Sequence, residues 1–283
     1  MPASPSSAAQ AARERIARRL RDLRAEAGIT GGELARRAGW THPKTSRLEN
    51  ARTPPTPADI RAWCAACGAH AQADDLIAAS RDAEEQYTEW RRRVRTGLRT
   101  LQDSYRPLFE QTRLFRIYSG TLVPGLLQTE GYARALLSSN AEFLGAPDDS
   151  EQAAAARVDR SRIIHRSGRR FSLLMEEAVL THQLGTADAM AAQLGHLLTA
   201  GALPSVSLGI IPAATRSRGH WPMETFHMYD QDLVSVELLS ARVTVTEPSE
   251  IALYETAFAR LKRLAVYGAE ARALVVRAIG ALA

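Results

Sequence analysis

The stretch Thr30-Gly31-Gly32-Glu33-Leu34-Ala35-Arg36-Arg37-Ala38-Gly39-Trp40-Thr41-His42-Pro43-Lys44-Thr45-Ser46-Arg47-Leu48-Glu49-Asn50 decides how the N-terminal part of this chain folds. Thr30 followed three residues later by Glu33 has the form of a capping box, in which the hydroxyl accepts from the third amide and the carboxylate reaches back. Gly39 offers the positive φ that a tight turn demands. Thr41 can cap a second helix running through Asn50, with Pro43 confined to the first turn, where its missing amide costs little. Two helices crossing near a right angle need apolar residues on their facing sides and a small residue where their backbones meet. Leu34, Ala35, Ala38, Gly39, Trp40, Thr45 and Leu48 fill those places in order.

Working outward, Ala12, Ile16, Leu20, Leu23 and Ala27 recur at helical spacing and stop at Gly28. Thr56-Pro57-Ala58-Asp59 starts a further helix that Gly68 ends, and Ala71–Ala79 reads as a short fifth. The expectation is an all-α head of five helices over residues 10–81, preceded by a disordered tail over 1–9, where Pro, Ser and Ala show no periodicity. Charge singles out the same region. Residues 10–64 hold 12 basic and 6 acidic side chains, while the remainder of the chain holds 24 and 25. The whole positive excess therefore lies in the head, as a polyanion-binding module requires. Because 34 of the 36 cations are arginine, no single Arg is read as a recognition residue on identity alone.

With 283 residues, 45% hydrophobic and 24% charged, the chain reads as a soluble, multidomain globular protein, which excludes collagen-like and wholly disordered classes. No apolar run approaches the roughly 18–20 residues of a membrane helix, and the opening residues lack a signal-peptide pattern, so a cytoplasmic protein without a membrane partner is expected. Cys64 and Cys67 are the only cysteines, too few for a disulfide framework. Their i, i+3 spacing is read as small apolar packing, with redox sensing as the alternative. Zinc would need two more ligands, which no second Cys pair or suitably spaced His supplies. Neither a metal nor a cofactor is expected.

From Asp82 to Gln111 the chain is polar, with Trp90, Val94, Leu98 and Leu101 at helical spacing, and a linker helix over 82–111 is expected. Beyond it, β-type runs at Leu114–Tyr118, Phe171–Leu174, Val206–Ile211, Thr225–Tyr229, Val234–Leu239 and Val243–Thr246 alternate with helical stretches at Gln128–Ser138, Gln152–Arg166, Ala187–Ala200, Glu250–Val266 and Glu270–Ala281. A larger mixed α/β domain over 112–283 follows from that pattern.

The window from Gly31 to Asn50, with the trailing Ser46-Arg47-Leu48-Glu49-Asn50-Ala51, resembles the helix-turn-helix of the xenobiotic-response-element (XRE) family of bacterial regulators, relatives of the lambda repressor and Cro. Ala51 stands where that family ends on Gly, Gly31 where a phosphate-touching Gln is frequent, Trp40 where an aliphatic residue is usual, and Thr45 where Val or Ile is usual. The resemblance implies a lambda-repressor-like head whose helix from Thr41 to Asn50 enters the major groove by its N-terminal end. His42, Lys44, Ser46 and Arg47 then face bases or phosphates, with Lys44 and Arg47 able to donate to guanine and Pro43 limited to apolar contact. Thr30, Thr41 and Arg52 complete the expected DNA-binding set, Thr30 and Arg52 as phosphate contacts.

Val123-Pro124-Gly125-Leu126-Leu127-Gln128-Thr129, followed by Tyr132 and Ala133, resembles the signature of a C-terminal domain of unknown function that commonly follows such heads. Arg157 and Arg160, Glu177 with Leu180, Gln193-Leu194 with Leu197, Ile210-Ile211-Pro212, and Phe226 before Val236-Glu237 extend it; Ser161 departs from it. Pro124-Gly125 is expected to reverse the chain, with Gly125 supplying a positive φ. That resemblance implies an antitoxin-like transcriptional regulator, often encoded beside a small partner protein.

The body lacks Gly-x-Gly-x-x-Gly, Walker, Gly-x-Ser-x-Gly and His-Glu-x-x-His patterns, so no enzyme is expected. Arg157, Arg160, Glu177, Arg216, Arg218, His220 and Trp221 are candidates for a ligand or partner site, the last four on a polar loop that otherwise reads as a solvated connection. Three readings remain at this point: a homodimeric regulator of double-stranded DNA whose body dimerises and senses a ligand or protein, an antitoxin-type module that mainly holds a small partner, and a DNA-tethered enzyme.

Overall fold

The computed structural model describes residues 6–219, 224–239 and 241–282. The chain divides into two compact units, Met1–Thr88 and Glu89–Ala283. The first is helical: α1 (Ser6–Glu26), α2 (Gly31–Ala38), α3 (His42–Glu49), α4 (Pro57–Ala66), a 3-10 turn at His70–Gln72 and α5 (Ala73–Gln86). Helix α1 begins at Ser6, inside the stretch expected as a disordered tail. Ile16, Leu20 and Leu23 of α1 pack with Leu34, Leu48, Ile60, Leu76 and Ile77 around Trp63, which is fully buried. The Trp63 indole N–H donates to the Leu20 carbonyl at 2.9 Å, so this large core residue leaves no unpaired donor.

Thr30 accepts from the Glu33 amide as expected, at 3.2 Å. The Glu33 carboxylate does not return to Thr30, however; Arg36 and Arg37 take it, and only half of the anticipated box forms. The Arg37 bond first, then that of Arg36, holds the Glu33 carboxyl below its usual range. A complete box closes instead at α4, between Thr56 and Asp59.

A three-residue strand, β1 (Tyr87–Glu89), crosses the division between the units. The single linker helix expected over 82–111 is corrected to three short ones after the end of α5: α6 (Trp90–Val94), α7 (Leu98–Asp103) and α8 (Arg106–Gln111). Gly97, at φ 98° and ψ 157°, interrupts the helical path in a region essentially reserved for glycine, and Pro107 opens α8. The apolar spacing was real but has another destination. Val94, Leu98 and Leu101 are buried against Ala133, Leu137, Ala141, Ala153 and Ala154, which makes this segment part of the second unit's core.

The rest of that unit runs β2 (Leu114–Ser119), a 3-10 turn at Gly125–Leu127, α9 (Glu130–Leu144), α10 (Ser150–Ser161), β3 (Arg170–Glu176), α11 (Ala187–Ala200), β4 (Val206–Ile211), β5 (Phe226–Tyr229), β6 (Leu233–Glu237), β7 (Ala241–Val245), α12 (Pro248–Lys262) and α13 (Gly268–Gly280). The strands lie in the order β7-β6-β5-β2-β3-β4. β2, β3 and β4 are parallel, while β5, β6 and β7 continue the sheet as an antiparallel meander. β3 sits between two parallel neighbours, and its Phe171, Leu173, Leu174 and Met175 are all buried, the near-continuous apolar run expected of a strand covered on both faces.

Alternation along β2 separates the two faces. Phe115 and Ile117 join the large core shared with Phe171, Leu173, Met190, Leu194, Leu197 and Val275, so α11 and α13 cover that face. Arg116 reaches Glu255 of α12 at 3.0 Å, and Tyr118 packs on Phe226, which meets Tyr254 and Phe258 of α12 on the other face.

Candidate functional site

The turn between α2 and α3 depends on two substitutions that belong together. The Trp40 indole N–H donates to the Thr45 hydroxyl at 3.0 Å, and the Trp40 ring lies 6.2 Å from that of Trp63. A Val at position 45 would leave that indole without this acceptor, so the large residue at 40 and the polar one at 45 compensate each other. Gly31 is explained in the same way: a Cβ there would lie 3.2 Å from the His42 imidazole, which occupies the space a longer side chain would need.

Helix α3 buries Thr45 and Leu48 and turns His42, Pro43 and Arg47 to solvent. Thr41 is exposed at its N-cap position without making a side-chain cap bond. Ser46 is half-buried, and its carbonyl accepts from the Asn50 side-chain amide at 2.8 Å. Lys44 is drawn back from the exposed face: its ammonium pairs with Asp59 at 2.6 Å and lies 4.6 Å from the centre of the Trp40 ring. Burial works to raise the Asp59 carboxyl, but the Lys44 and Thr56 bonds outweigh it and hold the group below its usual value. A base contact by Lys44 must break that pair, which leaves Arg47 as the long cation on the exposed face of α3.

Past α3 the chain turns at Ala51, whose φ is 52°. The Arg52 amide donates to the Arg47 carbonyl at 2.9 Å, and its exposed side chain leaves just beyond the helix end. Arg24 fixes α3 from α1 by pairing with Glu49, and Arg21 donates to the Glu49 carbonyl at 2.6 Å. Sequence reasoning placed neither arginine in a role; both serve the scaffold that aims the helix. Cys64 is buried in the core and Cys67 packs beside it. Burial raises both thiols, which opposes the thiolate that redox chemistry requires and fits the packing reading.

In the second unit, the signature-like segment is a hub of buried hydrogen bonds. Gln128 donates to the Val123 carbonyl at 2.7 Å and accepts from Arg157 at 2.6 Å. Gln193, fully buried, donates to the Leu127 carbonyl at 2.7 Å and accepts from the Thr129 amide at 2.8 Å. The expectation of a positive φ at Gly125 is corrected: Pro124 and the 3-10 turn reverse the chain, and a Cβ at 125 would meet nothing within 4 Å.

Beside this hub lies a cavity of about 680 Å³, whose lining includes Arg157 and Arg160 together with Gln102, Tyr105, His227 and Tyr229. The other candidates lie apart from it. Arg218 is clamped by both oxygens of Glu176 at 2.8 and 2.6 Å, with Tyr118 donating to the same carboxylate, so it anchors its loop. Glu177 accepts from the Ala213 amide and from Arg277, tying α13 and the chain after β4 to the end of β3. Arg216 is exposed, and His220 and Trp221 lie outside the described residues. Sequence reading missed Gln102, Tyr105 and Tyr229, because the cavity draws on elements far apart in the chain.

Among the described residues there is no helix long and apolar enough to cross a membrane, and no cluster of three or more His, Cys, Asp or Glu placed to hold a metal. Comparison with known proteins finds a helix-turn-helix domain at residues 15–76 and a domain of unknown function, DUF5753, at residues 109–277. No curated protein matches. Among solved structures, the archaeal chromatin protein TrmBL2, described as showing a novel mode of DNA binding, is similar at 13% identity over 85% of this chain and 88% of that one, with a TM-score of 0.32. A superposition this loose fixes neither fold nor function. The DUF5753 match alone spans more than half of the sequence, and the chain belongs to that family, with a helix-turn-helix domain at its N-terminal side.

Proposed function

We propose that this protein is a sequence-specific DNA-binding transcriptional regulator of XRE type, acting as a homodimer with one head on each half of a two-part operator. The observation that carries the reading is the outer face of α3, where His42, Pro43 and Arg47 are exposed on a helix held rigidly from behind by Thr45, Leu48 and the Arg24–Glu49 pair. This is the arrangement by which a recognition helix presents a few side chains to base edges while its scaffold contacts the backbone. The concentration of positive charge in the same unit supports it, since phosphate neutralisation supplies much of the affinity of such modules. The C-terminal unit provides the dimer contact and the regulatory input.

Selection of bound duplexes from a random library by the full chain tests this. Enrichment of an inverted repeat with half-sites about 34 Å apart is expected. Recovery of duplexes with no common sequence would contradict specific regulation.

A further inference from the structure

We propose that the cavity of the C-terminal unit binds a small amphipathic organic anion, with its acidic head at Arg157 and Arg160 and its apolar body against α7, α9 and the sheet. This rests on the regulatory role assigned above to that unit and names the class of molecule it would sense. At about 680 Å³ the cavity falls within the range typical of small-molecule sites.

The charge of the site is unusual for a protein interior. Arg157 donates to the side-chain oxygens of Gln102 and Gln128, and Arg160 to the Gln102 carbonyl, all neutral acceptors. Among the described residues no carboxylate lies within ion-pair distance of either guanidinium. The Arg160 Nε is buried with no hydrogen-bond partner, as is that of Arg242. Arg160, Arg242 and Arg93 gather at 5.1, 5.0 and 5.3 Å from the Tyr105 ring, which lines the same cavity. Two carboxylates also line it, Glu224 and Glu237; the first receives the Tyr254 hydroxyl from α12, and the second is exposed at the end of β6. Burial, then the neighbouring Arg157 charge, lowers Arg160 to about 10; burial also lowers Arg157, outweighing the opposing attraction of Glu237. Two cations withdrawn from water with no carboxylate in contact, and only the more distant Glu237 acting on Arg157, are costly, and an incoming anion offsets that cost. Burial also lowers His227, which keeps it neutral, so the positive charge comes from guanidinium alone.

The rest of the lining suits an apolar body: Leu98, Leu101, Ile117, Leu126 and Leu137 face the same space. Phe143 and Leu239, two large apolar side chains left 64% and 79% exposed, belong to the lining as well. They give the cavity a greasy rim where most exposed surface would be polar.

Titration of the full chain by calorimetry without DNA, using decanoate and 1-naphthoate against decan-1-ol, 1-naphthamide and decyltrimethylammonium, tests the assignment. The anions should bind one site per chain at least about tenfold more tightly than their neutral counterparts, and the cation should not bind. Arg157→Gln should remove the preference for the anions. Because Arg157 also braces Gln102 and Gln128, a second variant, Asn140→Trp, leaves every guanidinium in place and fills an exposed position of the lining; it should abolish binding of both anions. Equal binding of charged and neutral probes, no binding of either anion, or anion binding retained in both variants would overturn the proposal. DNA affinity is measured on the same samples: a chain that binds DNA but no anion sinks the cavity assignment alone, and one that binds the anion but selects no DNA sequence sinks the regulator reading alone.

Discussion

At the scale of single residues, the departures from the XRE-like pattern are resolved by their neighbours. Trp40 and Thr45 answer each other through one hydrogen bond, and Gly31 makes room for His42. Ala51 has no such compensation: it holds φ 52° where a Cβ is disfavoured by roughly 1–2 kcal/mol. Part of that cost is offset because glycine loses more backbone freedom on folding. Ala51→Gly is therefore expected to stabilise the N-terminal unit by about 0.5–1 kcal/mol, read from its chemical denaturation midpoint. Unchanged or lower stability would mean that the Ala51 Cβ contributes packing worth more than the strain. The identities of these residues were legible in the sequence, but their pairing was not, because Trp40 and Thr45 touch only once the turn exists.

At the scale of elements, two glycines that look alike in sequence do different work. Gly97 starts α7 in a conformation that L side chains rarely adopt, and a Cβ there would lie 2.5 Å from an Asp149 carboxylate oxygen. That carboxylate must stay, because it accepts from the Leu98 and Arg99 amides at 2.7 and 2.9 Å and so caps the helix. Gly97→Ala should cost about 2–4 kcal/mol from backbone strain and loss of the cap together. Gly125→Ala, which meets open space at negative φ, should cost under about 1 kcal/mol. Thermal melts of the two variants check the contrast; equal losses would show that the Pro124 turn is as constrained as Gly97.

The same glycine explains the one large misreading of the chain. Trp90, Val94, Leu98 and Leu101 keep helical spacing straight through residue 97, so periodicity predicts one helix where the backbone breaks between α6 and α7 and again before α8. By contrast, all six strands from β2 to β7 fall within two residues of their sequence-based bounds, because short β-branched and aromatic runs between turn residues have no competing pattern.

At the scale of the whole molecule, a helix-turn-helix head followed by a mixed α/β body was readable from the change of periodicity after Pro107. The cavity was not, since its lining is assembled from α6 to α10 and from β2, β5 and β6, and no local motif marks it. Arg157 and Arg160 could be singled out from the family resemblance, but not the amides and rings that hold them. A single head buries too little surface for tight, specific binding, so on the proposed reading the body brings two heads to one operator. Residues 1–88, which carry their own core, should bind a selected operator at least about tenfold more weakly than the full chain in fluorescence anisotropy. Equal affinity would remove the dimer from the account.

Helix α3 is proposed to read bases while the residue just past its end holds the backbone, and one titration decides it. Arg47→Ala and Arg52→Ala are measured against the selected operator and a scrambled duplex at several salt concentrations. Arg47→Ala should cost about 1–3 kcal/mol on the operator, relax preference at one base pair and leave the scrambled duplex nearly unaffected. Arg52→Ala should weaken both duplexes alike and reduce the salt slope by about one unit. If Arg47→Ala instead lowers affinity for the two duplexes equally, the side chain meets phosphate, and α3 does not dock in the groove as proposed.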